Sequence, residues 1–143
     1  MASHSKTITI DAPPATVWAL MSDIESWPSW TKSVDAASRG EAGPLQVGST
    51  ATVKQPKLRQ SRWVVTEVEP GRSFTWESKA PGVTSIGVHR VEPTAAGGST
   101  VTLSLDQTGP LAWLVGLVGS RLIDRYVGFE AEGLKSRAEA DAA

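Results

Sequence analysis

His4 and His89 are the only imidazoles in the chain, and there is no cysteine. A histidine is the natural proton shuttle near neutral pH, so any acid–base chemistry here rests on very few groups. The missing cysteines exclude disulfides, thiolate catalysis and cysteine metal sites. Two histidines are too few for a multi-histidine metal site, so neither a metal nor a cofactor is expected. No Gly-x-Ser-x-Gly elbow is present, and no Ser-His-acid set can be assembled around His89 from the sequence. Glu67, Glu69, Glu77 and Asp106 read as outward or turn positions, which leaves no carboxylate pair and no evident buried acid. Gly97-Gly98 falls between strands rather than before a helix, which is the wrong context for a phosphate loop.

The other conspicuous chemistry is aromatic. Of two Phe, one Tyr and six Trp, the tryptophans are Trp18, Trp27, Trp30, Trp63, Trp76 and Trp113. Each offers a broad flat apolar surface and one N–H donor. The set suits either a thin core or the walls of a cavity for a flat hydrophobic molecule, and core packing is the simpler account of Trp18, Trp27 and Trp30.

These groups need elements to position them. Thr7-Ile8-Thr9-Ile10 is β-branched and reads as a strand. Pro13 and Pro14 suit a helix's first turn, and Val17, Trp18, Leu20 and Met21 supply its apolar stripe. Asp23 can cap a second short helical turn that ends at Trp27-Pro28-Ser29-Trp30. Six strands follow at hairpin spacing: a weak one through Val34, Ala36 and Ser38, then 49–55, 59–69, 73–79, 83–91 and 100–108, separated by Gly and Pro turns. After Gly109-Pro110, residues 111 to about 138 have helical spacing, with Leu111, Val115, Val118, Leu122, Tyr126 and Phe129 as the apolar stripe. Gly116, Gly119, Gly128 and Gly133 lie inside that helix, each costing about 1 kcal/mol relative to alanine. Close packing on the sheet and space left for a ligand both account for them.

With 143 residues, 40% of them apolar, the chain suits one α+β domain over 1–143, with its core at about 5–138. The 14 basic and 15 acidic residues give a net charge of −1 with no basic stripe, which argues against nucleic acid as a partner. Residues 1–6 run into the first strand without a hydrophobic stretch, which predicts no leader peptide and a cytoplasmic protein. The longest apolar run, Leu111 to Gly119, is far short of the ~20 residues that cross a bilayer. No exposed apolar run suggests a protein-interaction module.

The opening run Thr7 to Trp30 resembles that of the SRPBCC superfamily, which includes START lipid-binding domains and birch-pollen-allergen-like proteins. Residues 63–72, Phe74-Thr75-Trp76, His89, the 97–100 turn and Glu132-Gly133-Leu134-Lys135 are most similar to the polyketide cyclase/dehydrase family. The resemblance implies a helix-grip fold: a curved antiparallel sheet of about seven strands gripping a long C-terminal helix, with two short helices after the first strand. Apolar parity then sends Val53, Gln55, Trp63, Val65, Phe74, Trp76, Leu105 and Gln107 into the concavity. The strand around His89 is ambiguous by parity, since Ile86 and Val88 oppose Gly87, His89 and Val91. Similar sequences place an aromatic residue or histidine two positions before the apolar residue of a hydrophobic-x-Pro turn, and this matches His89, Val91 and Pro93.

The expected site is therefore Trp63, Phe74, Trp76 and Leu105 as walls, with His89, Gln55 and Gln107 as polar handles. Trp113 and Tyr126 close it from the helix. A mostly apolar pocket with a few placed polar groups fits a small hydrophobic or aromatic ligand, or a lipid. The alternative is a polyketide cyclase, aromatase or dehydratase in which His89 is the acid/base.

Overall fold

The computed structural model describes residues 2–143. Seven strands form one antiparallel sheet: β1 (Ala2–Ile10), β2 (Ala36–Arg39), β3 (Thr50–Lys54), β4 (Ser61–Glu69), β5 (Ser73–Ala80), β6 (Val83–Pro93) and β7 (Ser99–Thr108). Their spatial order is β1-β7-β6-β5-β4-β3-β2, so consecutive hairpins run from β2 to β7 and the first strand closes beside the last. Helix α1 (Pro14–Ser22) and a 3-10 turn (Ile24–Ser29) fill the link from β1 to β2, and α2 (Ala112–Ala142) follows β7. This is the α+β helix-grip arrangement expected from the sequence.

β1 begins five residues before the β-branched run. Ala2 pairs with Gln107 and the ladder continues to Ile10 opposite Ser99, so pairing with a full-length neighbour overrides weak local propensity. Pro14 occupies the first turn of α1, where its missing N–H is harmless. Asp23 stands at the N-cap of the 3-10 turn, but its side chain makes no capping hydrogen bond, contrary to expectation. The turn is held instead from Trp27, whose Nε1 donates to the Met21 carbonyl at 3.2 Å.

Register in β4 breaks between Val65 and Glu67 opposite β5. The bulge lets Trp63 and Val65 face inward upstream while Val68, across from Phe74, packs on the core downstream. Facing Trp76 across β5 and β6 is Gly87. A Cβ there would lie 2.8 Å from Trp76 Nε1, so the missing side chain makes room for the indole.

The buried face of α2 is not the stripe that the spacing suggests. Ala112, Tyr126, Val127, Ala131, Leu134 and Ala138 are buried, whereas Leu111, Trp113, Leu114, Leu117 and Val118 are exposed. The buried face mixes alanines with Tyr126, Val127 and Leu134, and the first turns of the helix carry large apolar side chains outward. The expectation of no exposed apolar run is overturned by these residues. Of the helical glycines, Gly133 is a close-packing position, since a Cβ there would fall 2.0 Å from the Trp30 carbonyl oxygen. Gly119 faces open space.

Candidate functional site

Between the concave face and the middle of α2 lies a cavity of about 80 Å³. Its floor comes from the sheet: Val53 and Gln55 at the end of β3, Trp63 on β4, Trp76 on β5, Gly87 and His89 on β6, and Leu103, Ser104 and Leu105 on β7. Trp27, Ser33 and Val34 close one end, and Ile123, Tyr126, Val127 and Glu130 descend from α2.

The aromatic wall is continuous. Trp63 and Trp76 stack with centroids 5.0 Å apart and planes 27° from parallel, and Trp27 lies 5.3 Å from Trp76. Trp63 Nε1 donates to Ser61 Oγ at 3.1 Å, which fixes the outer indole. Behind the wall, Phe74 is fully buried and stacks on the His89 imidazole at 4.2 Å and 7°. Trp76 meets the same imidazole edge-on at 5.5 Å.

His89 is thus stacked on one face and flanked at its edge, and the parity ambiguity of β6 is resolved: Gly87, His89 and Val91 are the buried set. His89 Nε2 lies 3.3 Å from Glu130 Oε1, and the Glu130 side chain is only 15% exposed. His89 Nδ1 is buried with no hydrogen-bond partner among the described residues. A half-buried carboxylate beside an imidazole is the kind of pair that general acid–base chemistry uses. At the rim, the Tyr126 hydroxyl donates to the Pro56 carbonyl and ties α2 to the β3–β4 turn.

Gln55, Trp63, Trp76, His89, Leu105 and Tyr126 are brought together as cavity lining. Three other expected residues lie elsewhere. Phe74 backs the imidazole rather than facing the space. Gln107 is buried farther along β7, donating to Ser85 Oγ at 3.4 Å. Trp113 is 61% exposed and cannot close the site beside Tyr126. At about 100° per residue the two point about 140° apart around the helix.

Glu130 lies outside the expected set: it is half-buried against His89, and no Asp or Glu is among the fully buried residues described. Its signal was present in the sequence, because a residue four positions after Tyr126 shares that helix face. Trp27, first assigned to the core, also borders the space.

The volume limits what fits. Ligand pockets usually span about 300–1,000 Å³, and a dry cavity of about 150 Å³ can hold benzene. Here a ring-sized guest enters only as side chains shift, and Gln55, Trp63, Leu105 and Ile123 are half-buried at the boundary. The group is mostly apolar, with one buried polar pair at its base.

The fold recurs in solved structures. A hypothetical protein from Helicobacter pylori (jhp0584) superposes with a TM-score of 0.83 at 13% identity, covering 96% of this chain and 88% of that one. TTHA0849 from Thermus thermophilus gives 0.78 at 19% identity, covering 99% and 100%. The di-domain ARO/CYC protein StfQ of the steffimycin biosynthetic pathway gives 0.78 at 13% identity, covering 98% of this chain and 51% of that protein. At such identities these likenesses establish the fold alone. No curated protein matches the chain by sequence. A family profile described as polyketide cyclase / dehydrase and lipid transport matches residues 1–139, and the chain therefore belongs to that family.

Proposed function

We propose that the cavity binds a small hydrophobic molecule, or the aromatic end of a larger one, and that His89 orients it. The observation that carries this reading is the half-satisfied His89 at the base of an aromatic box. Buried polar atoms are nearly always paired, and an unpaired one beside a space is accounted for by a guest that supplies the partner. Burial of flat apolar surface against Trp27, Trp63 and Trp76 drives binding at about 25 cal/mol per Å². The walls must part to admit a complete ring, and the Tyr126–Pro56 contact is the natural place for that opening.

Native mass spectrometry of freshly purified protein, followed by titration with a panel of hydroxylated aromatic compounds, tests the reading. Saturable binding lost in Trp76→Ala and weakened in His89→Ala, with both variants folded, supports it. No binding across the panel overturns it.

The His89–Glu130 contact favours a second reading, a cyclase or dehydratase acting on a β-hydroxy ketone. Neutral His89 takes the proton from the carbon next to the carbonyl, and Glu130 beside it stabilises the imidazolium that forms. The enolate then expels the β-hydroxyl, which leaves as water with the proton returned by His89, and a conjugated double bond remains. Proton transfer of this kind contributes about 10²–10⁴-fold. Loss of the dehydrated product in both His89→Gln and Glu130→Gln, with ligand binding retained, selects this reading over simple binding. Identical products with and without the protein reject it.

A further inference from the structure

The first turns of α2 carry a surface that the cavity does not use. Trp113 is 61% exposed, Leu117 76% and Val118 80%, with Leu111 and Leu114 also open to solvent. Large apolar side chains scattered singly on a surface need no explanation, but a contiguous group on one helix end does. From Trp113 to Val118 the exposed apolar side chains sweep about 140° of the helix circumference. About one and two turns onward, Arg121 and Arg125 are exposed within the same sweep. Neither arginine is in an ion pair among the described residues, while the intervening Asp124 lies 3.6 Å from Lys6 Nζ and 3.8 Å from His4 Nδ1. Beside the apolar tip, a groove between Trp113, Leu117 and His4 continues the surface down to β1.

We propose that this end of α2 docks on an anionic lipid bilayer, with Trp113, Leu114, Leu117 and Val118 in the acyl boundary and Arg121 and Arg125 at the headgroups. Charge sets the order: the apolar tip comes first and two free guanidiniums follow it along the same side. This is the pattern of an interfacial anchor, in which tryptophan and leucine are buried and arginines meet lipid phosphates. A fluid interface closes around a convex apolar face, and its anionic headgroups match the two arginines behind that face. No helix among the described residues is long and apolar enough to cross a membrane, so the contact lies on the surface. Ile123, the first cavity residue of α2, is about 9 Å along the axis from Leu117, so docking brings the cavity close to the bilayer. The inference stands on the exposed residues and does not require the cavity reading.

Flotation of the full chain with phosphatidylcholine vesicles, with and without phosphatidylglycerol, tests it at low and high salt. The protein should float with the anionic vesicles and be released by salt. Leu117→Glu should weaken partitioning at least about tenfold, and Arg121→Ser and Arg125→Ser roughly fivefold each. All three sites are exposed, so circular dichroism should be unchanged. Absence from the vesicle fraction at every lipid concentration overturns the proposal, as does undiminished flotation of Leu117→Glu. A soluble dimer that Leu117→Glu dissociates, with no flotation, also overturns it and assigns the face to self-association. Titration of Leu117→Glu with aromatic probes in lipid-free buffer separates this surface from the cavity, because probe binding should match the unaltered chain.

Discussion

Glu130 reaches down from α2 to within 3.3 Å of His89 Nε2 and joins the gripping helix to the centre of the sheet. The contact is a poor stabiliser, because His89 Nδ1 is buried without a partner among the described residues and a carboxylate is partly desolvated. Buried polar pairs of this kind are often neutral or costly compared with apolar replacements. The double variant His89→Phe/Glu130→Leu keeps the stack on Phe74 and is expected to be more stable by about 1–3 kcal/mol in urea denaturation, while losing ligand orientation. His89→Phe alone strands the carboxylate and should be less stable than the double variant. A double variant weaker than the original chain would mean that the pair serves the fold rather than the site.

Gly87 sets the position of Trp76. A methyl at this position would stand 2.8 Å from Trp76 Nε1 and 3.0 Å from Cδ1, so the indole must move. Gly87→Ala is expected to cost about 1–3 kcal/mol through overpacking and to weaken aromatic-probe binding. Urea denaturation and a probe titration read the two effects separately. Unchanged values in both would show that the indole has room the structure does not suggest.

The succession of strands along the chain, the hairpin turns and the long terminal helix were legible because alternation, Gly and Pro punctuation and helical spacing are local signals. Within the candidate site, the sheet residues were legible for the same reason: Gln55, Trp63, Trp76 and Leu105 follow parity along single strands. Parity failed at His89, where β6 carries apolar residues on both faces, and there the resemblance decided. The helix was harder. Helical spacing of the large apolar residues put Leu111 and Val118 on the inner face, where they are exposed, and passed over Ala131 and Ala138, which are buried. Trp113, expected to close the cavity with Tyr126, points to solvent instead, and a charged residue such as Glu130 does not advertise a position at the cavity. Contacts between distant segments, such as Tyr126 with Pro56, leave no periodic trace.

Two surface carboxylates should shape the acid limb of stability. The Thr50 hydroxyl donates to Glu41 Oε1 at 2.7 Å and the Thr50 amide to Oε2 at 2.9 Å, which holds this carboxyl below its ordinary value. Lys135 and then the Asp11 amide do the same for Glu139. With pKa values lower folded than unfolded, both contribute stability that is present above the ordinary carboxylate range of about 4 and lost as pH falls through the folded values. Glu41→Gln and Glu139→Gln should each flatten the loss of stability below about pH 4. The effect should shrink with added salt, since both groups are exposed. Urea midpoints measured across acid pH would check this, and an unchanged acid limb in both variants would count against it.

The glycines of α2 give a contrast within one helix. A methyl at Gly133 would meet the Trp30 carbonyl at 2.0 Å, and backbone cannot yield as a flexible side chain does. Nothing lies within 4 Å of the corresponding point at Gly119. Gly119→Ala should therefore add up to about 1 kcal/mol from helix propensity, whereas Gly133→Ala should destabilise by more than that gain. Thermal denaturation of the two variants in parallel reads the sign at each position, and a stabilised Gly133→Ala would mean that α2 sits farther from the 3-10 turn.

Tyr126 stands where binding and opening meet, lining the cavity and bonding to the Pro56 carbonyl. Tyr126→Phe removes that bond and keeps the ring, so the expected stability loss is modest, about 1 kcal/mol. The larger effect should be on exchange of the guest. With the β3–β4 turn untied from α2, aromatic probes should associate and dissociate faster, and amides near residues 55–60 should exchange with solvent sooner. Stopped-flow fluorescence and hydrogen exchange measure these independently. Faster amide exchange with unchanged probe kinetics would place the route into the cavity elsewhere, at the half-buried boundary near Leu105 and Ile123. Faster kinetics in both would make the Tyr126–Pro56 contact the latch that an 80 Å³ cavity needs if it is to admit anything larger than itself.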